Sequence, residues 1–171
     1  KLAVFGASIR GPAPSVGGIA SGEAGYSDSL QDHSGKNRLI ENSAMKYLLG
    51  YERDFPKDLR AGIQYFLEQM LNFDEFKANS QPGDIPRDEF RQLLTFRITK
   101  LFWLQTLEAS LFGFYSPTDS DAYIRPRLAW QANDRWKLTV GANIFFGKHD
   151  WTEFGQLEGN DNFYIRIRYS F

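Results

Sequence analysis

The chain has 171 residues, 42% hydrophobic and 24% charged, a balance that falls in the globular range and argues against disorder. A net charge of -1 without any Lys/Arg block gives no field to hold nucleic acid, and the absence of cysteine removes thiol chemistry, disulfides and cysteine-based metal sites. No run of about 18 apolar residues occurs, which excludes a transmembrane helix, yet aromatics reach 16%.

Apolar residues recur at every second position in segment after segment, the period of a strand with one apolar face. LAVFGASIR sets Ala3, Phe5, Ala7 and Ile9 against Gly6, Ser8 and Arg10. The glycine-rich GPAPSVGGIASGEAG at 11 to 25 lacks the GK[ST] of a phosphate loop and reads as part of a long flexible outer loop over 11 to 43. AMKYLLGYE places Met45, Tyr47, Leu49 and Tyr51 opposite Lys46, Gly50 and Glu52; LRAGIQYFLEQ places Leu59, Ala61, Ile63, Tyr65 and Leu67 opposite Arg60, Gly62, Gln64 and Glu68. EFRQLLTFRIT sets Phe90, Leu94, Phe96 and Ile98 against Arg91, Thr95 and Arg97, with Gln92 and Leu93 off the pattern.

Downstream, TLEASLFGFY opposes Leu107, Ala109, Leu111, Gly113 and Tyr115 to Glu108, Ser110, Phe112 and Phe114. AYIRPRLAW opposes Ala122, Ile124, Pro126, Leu128 and Trp130 to Tyr123, Arg125, Arg127 and Ala129, and WKLTVGANIFFG opposes Trp136, Leu138, Val140, Ala142, Ile144 and Phe146 to Lys137, Thr139, Gly141, Asn143 and Phe145. The final NFYIRIRYSF puts Phe163, Ile165, Ile167, Tyr169 and Phe171 on one face and Arg166 and Arg168 on the other.

These segments amount to about eight strands of roughly ten residues, long enough for a tilted strand to cross a bilayer's hydrocarbon core. Links at 55 to 58, around Lys100 to Phe102 and at 132 to 135 are tight, whereas 11 to 43, 69 to 88 and 147 to 162 are long and polar and 116 to 121 is intermediate. Alternating short turns and longer loops predict an all-β, antiparallel, transmembrane up-and-down β-barrel, with short turns periplasmic if the C-terminus is periplasmic. Aromatics gather near strand ends: Tyr51, Phe55, Trp103, Trp130, Trp136, Tyr169 and Phe171 by the turns, and Phe90, Tyr115, Tyr123, Phe146 and Phe163 by the loops, as two interfacial girdles would. A soluble sandwich or lipocalin-like barrel also alternates, but points its apolar face into a core.

The closing strand with its C-terminal aromatic, Tyr169-Ser170-Phe171, resembles the assembly signal of Gram-negative outer-membrane β-barrels. The stretch from YLLGYERDF to YIRIRYSF resembles the C-terminal portion of larger porin-like proteobacterial barrels, so residues 1–171 are expected to form either one barrel domain or the C-terminal half of a larger barrel whose chain begins before Lys1. The resemblance implies a cell outer-membrane location and, as partners, outer-membrane lipid, lipopolysaccharide and the barrel-assembly machinery. It implies no cofactor. Whether subunits form a homo-oligomer stays open.

In such a barrel the face opposite the lipid is polar, and here it is expected to be basic: Lys46, Arg60, Arg91, Arg97, Arg125, Arg127, Lys137, Arg166 and Arg168 against Glu52, Glu68, Glu89 and Glu108. In an open lumen these bases would favour small hydrophilic anions. In a closed eight-stranded barrel they would pair with glutamates as a structural core. The expectation is a porin-like channel for passive passage of hydrophilic, preferably anionic, solutes. The alternative is a small non-conducting barrel with a structural, adhesion or lipid-interaction role.

The residues suited to catalysis are few. His33 follows Asp32, His149 precedes Asp150, and Asp119 and Asp121 lie two apart; omptin proteases set a His-Asp pair opposite an Asp pair at a barrel rim, but the surrounding residues do not otherwise match. These are expected to be solvated loop residues, with the rim hydrolase as a third reading. Thr118-Asp119-Ser120-Asp121 lacks the glycine and terminal glutamate of a helix-loop-helix calcium site and reads as a turn. No metal site is expected.

Overall fold

The computed structural model describes residues 1–171: nine strands, one short helix and a 3-10 turn. The strands are β1 (Leu2–Pro12), β2 (Ile19–Ser29), β3 (Ala44–Phe55), β4 (Leu59–Met70), β5 (Phe90–Phe102), β6 (Leu107–Ser116), β7 (Asp121–Gln131), β8 (Trp136–Gly147) and β9 (Asn162–Tyr169). They form one sheet in chain order, each antiparallel to the next, as expected of an up-and-down meander.

The strand count differs from the sequence expectation of eight. The additional strand, β2, lies inside the predicted outer loop 11 to 43, and its sequence IASGEAGYSDS explains why it escaped notice: the face that should be apolar offers only Ala20, Gly22, Ala24 and Tyr26. Pairing on both sides supplies what side-chain pattern does not, from Leu2↔Ser29 to Pro12↔Ile19 with β1 and from Ile19↔Glu52 to Ser27↔Ala44 with β3. The glycine-rich stretch therefore contains a turn at 13 to 18, in which Gly17 (φ 69) and Gly18 (φ 84) take the left-handed conformation. A side chain at Gly18 would drive its Cβ into the carbonyl oxygen of Glu52.

β5 also runs further than predicted, to Phe102, so the next turn falls at 103 to 106 with Trp103, Leu104 and Gln105 all at positive φ. Links 13 to 18, 56 to 58, 103 to 106 and 132 to 135 occupy one end of the sheet. The opposite end carries 30 to 43, 71 to 89 with helix α1 (Phe73–Asn79), 117 to 120, and 148 to 161 with the 3-10 turn Gly155–Leu157. Because nine is odd, β1 and β9 both run from this long-loop end to the short-turn end. Each has a partner on one side alone, β2 for β1 and β8 for β9, so the sheet is not closed.

The core is small, with 16 of 171 residues buried and Ala44, Phe76, Ala129 and Phe154 its apolar members. No second layer covers the apolar face: Phe163 is 68% exposed, Ile165 62% and Ile167 67%, and Trp130 and Trp136 stand out of the same surface. Bare contiguous apolar surface of this kind marks a contact face for another protein, a ligand or a membrane. At the long-loop end, links 30 to 43 and 71 to 89 are stitched together by the Asn42 amide donating to the Leu71 carbonyl and the Asn72 amide donating to the His33 carbonyl, both at 2.9 Å.

Candidate functional site: the polar face of the sheet

Antiparallel register fixes which side chains share a face, because residues paired across strands point the same way. One row runs Glu52, Gly62, Arg97, Phe112, Arg125 from β3 to β7, and the row beside it runs Ser21, Gly50, Gln64, Thr95, Phe114, Tyr123, Phe145. A third links Asp54, Arg60, Thr99, Ser110, Arg127, Gly141 and Tyr164. Lys46 pairs with Glu68 and Glu68 with Arg91, while Lys137 opposes Arg168 and Thr139 opposes Arg166. All nine basic residues singled out in the sequence thus lie on one face.

Their surroundings divide that face. On β1–β4 the bases are Arg10, Lys46 and Arg60 and the acids Glu23, Glu52, Asp54 and Glu68. The bases are all paired: Arg10 with Glu52, Lys46 with Glu68 at 3.3 Å, and Arg60 with Asp54 through two bonds of 2.5 and 3.0 Å. On β5–β9 the bases are Arg91, Arg97, Arg125, Arg127, Lys137, Arg166 and Arg168, the acids Glu108 and Asp121. Arg127 reaches Glu108 at 2.6 Å, and Arg91 reaches Asp119 at 3.4 Å and Glu153 at 2.6 Å. No carboxylate lies within 4.0 Å of Arg97, Arg125, Lys137, Arg166 or Arg168.

The face expected to be polar also carries the aromatic residues that the alternation placed on it. Phe112, Phe114, Tyr123 and Phe145 form an aromatic cluster on it, with ring centroids 4.9 Å apart for Phe112–Phe114, 6.3 Å for Phe114–Tyr123 and 4.9 Å for Tyr123–Phe145. Tyr123 accordingly belongs to this cluster and not to the apolar face; its hydroxyl donates to Asn143 at 2.6 Å. Leu48, Phe66 and Leu93 make a second apolar row, which accounts for the Leu93 that broke the alternation.

Loop 148 to 161 folds over the aromatic cluster. Phe154, 8% exposed, stacks on Phe114 at 5.5 Å and Tyr123 at 5.8 Å, and its backbone N–H donates at 2.8 Å to the carboxylate of Asp121, a residue 2% exposed. Gly155 permits the fold-over, since a Cβ there would collide with the His149 carbonyl. Sequence reading had no means of finding this contact, because Phe154 lies in a loop without periodicity.

The remaining candidates fall into structural settings. His33 meets Asp28 at 3.2 Å, His149 stacks on Trp151 at 4.4 Å, Asp119 accepts from the Ser116 hydroxyl at 2.8 Å, and Ser120 turns the chain with φ 53. Asp32 organises loop 30 to 43: the hydroxyl of Ser34 and the backbone N–H groups of Asn37, Ser34 and Gly35 donate to it, and these bonds hold its carboxyl below the usual range against a weaker opposing desolvation. At the short-turn end, Tyr169 packs on Trp136 at 4.8 Å with Phe171 6.4 Å beyond. Two cations lie on the apolar face there, Arg53 over Phe55 at 5.0 Å and Lys100 over Phe102 at 5.7 Å, each keeping its charged head at the rim while its stem covers apolar surface. The chain matches no protein-family model, no curated protein and no solved structure.

Proposed function

We propose that this sheet is part of a closed transmembrane β-barrel in a Gram-negative outer membrane, and that the barrel is a porin-like channel for small hydrophilic solutes with a preference for anions. The observation that carries the reading is the pairing of an exposed apolar face across the strands with an opposite face holding five basic side chains free of carboxylates. Lipid would cover the first, where loss of water contact by Phe163, Ile165 and Ile167 is favourable at about 25 cal/mol per Å² of apolar area. The second would line water and draw anions toward it.

Open edges support a barrel larger than nine strands. An unpaired strand edge is costly in hydrocarbon, so β1 and β9 both need partners there. Joining them to each other would make a parallel pair, whereas an odd number of further strands closes the ring with antiparallel pairs throughout. Outer-membrane lipid, lipopolysaccharide at the long-loop end and the assembly machinery that would read Tyr169 and Phe171 are the partners this reading requires.

Reconstitution in planar bilayers under a salt gradient tests it. A conductance whose reversal potential reports anion preference is expected, and no conductance from folded protein would overturn it. One arrangement favours the alternative of a non-conducting barrel: loop 148 to 161 is seated on the polar face through Phe154 and Glu153, and the ion pairs of β1–β4 fill that face with neutralised charge.

A further inference from the structure

We propose that Arg97 is the anchor of a binding subsite for a small organic monocarboxylate on the polar face. This deepens the channel reading by naming a solute class and rests on that face being solute-facing. The site is a hollow of about 320 Å³ lined by residues of β1 to β6. Its floor exists because Gly62 stands directly opposite Arg97 and Gly50 lies in the adjoining row, so two neighbouring positions project no side chain.

Arg97 is prepared for a ligand in three respects. Its guanidinium carbon is 5.1 Å from the centroid of the Phe112 ring, a stacking that restrains the side chain while leaving its N–H edges free for a two-point bond to a carboxylate. It has no carboxylate partner of its own, in contrast to Arg10 and Arg60 on the same hollow, which are occupied by Glu52 and Asp54. Gln64 and Thr95, paired with each other one row away, add neutral hydrogen-bonding groups.

The charge balance selects the class of anion. Among the bases that line the hollow Arg97 alone is uncompensated, since Glu52 neutralises Arg10 and Asp54 neutralises Arg60, so one carboxylate would balance the charge there and a phosphate dianion would exceed it. A planar carboxylate also matches the guanidinium fork.

The test is ¹⁹F NMR of 4-fluorobenzoate titrated with the folded full chain in zwitterionic detergent at fixed ionic strength. Saturable line broadening is expected, displaced by acetate and only at much higher concentration by inorganic phosphate. Arg97→Gln should weaken binding at least tenfold. Gly62→Val should do the same with Arg97 intact, and it suits the strand, since a Cβ there meets only ordinary contacts at 3.6 Å. Lys77→Gln, in helix α1 at the long-loop end, should change affinity less than twofold. Equal affinity in Arg97→Gln, no binding by the parent chain, or displacement by phosphate at lower concentration than acetate would each overturn the proposal. Since the readout needs no current, a protein that binds but does not conduct would count against the channel alone, and one that conducts without binding against the subsite alone.

Discussion

The first four strands and the last five share a polar face but use charge in opposite ways. On β1–β4 each base meets an acid in a pair open to solvent, where an ion pair adds little to stability. On β5–β9 seven bases face two acids, and five of the seven have no carboxylate within 4.0 Å. Basic residues at the same alternating positions therefore do different things according to the strand across from them. The division teaches that an alternating Arg is left without an ion pair only where neither the neighbouring strands nor the loops bring a carboxylate within reach.

The strongest way to break this comparison is to reverse charge on the basic side. Arg166→Glu with Arg168→Glu should invert ion preference, seen as a change of sign in the reversal potential, whereas Lys46→Gln should leave the sign unchanged because Lys46 is already neutralised by Glu68. Equal effects from the two would abolish the distinction between the halves.

A second test concerns the loop that removes Arg91 from the free set. Phe154→Ala deletes a buried ring seated on two others and should cost about 3 kcal/mol, read as a lower midpoint of unfolding and as tryptic cleavage at Lys148 under native conditions. A loop that stays protected would show that Glu153 and Asp121 suffice to hold it.

Smaller effects sharpen the boundary. Glu108→Gln leaves Arg127 unpaired at a cost of up to about 1 kcal/mol in denaturant titration, because both side chains are about one-third exposed, and should strengthen the anion preference by adding a free base to β7. The smallest change is local to loop 30 to 43. Asp32 has a depressed carboxyl pKa, so its bonds stabilise the loop fully above the ordinary carboxylate value of about 3.9 and are lost as pH falls through the lower folded value. The Asn37 amide shift should titrate with a midpoint below that of an unfolded aspartate, and a midpoint at or above it would remove the Asn37–Asp32 bond from the account.

Much of the molecule was legible because period-two alternation is a local property. Wherever large apolar residues mark one face, as in β8 and β9, strand position and facing followed from the residues themselves. The same alternation placed all nine bases on one side. It failed at β2, where Ala and Gly take the apolar positions, and that omission reversed the direction assigned to β1 and moved the glycine-rich turn to the opposite end of the sheet.

The sequence by itself determined the strand type, the two-sided character of the sheet and the basic excess of one side, since each depends only on residue order along a pleated strand. Tertiary structure alone decided which bases are neutralised, that Gly50 and Gly62 leave a hollow beside Arg97, and that Phe154 leaves its loop to cover Phe114 and Tyr123. Those outcomes depend on register between strands and on loop paths, and contacts between residues far apart in the chain leave no period in its sequence.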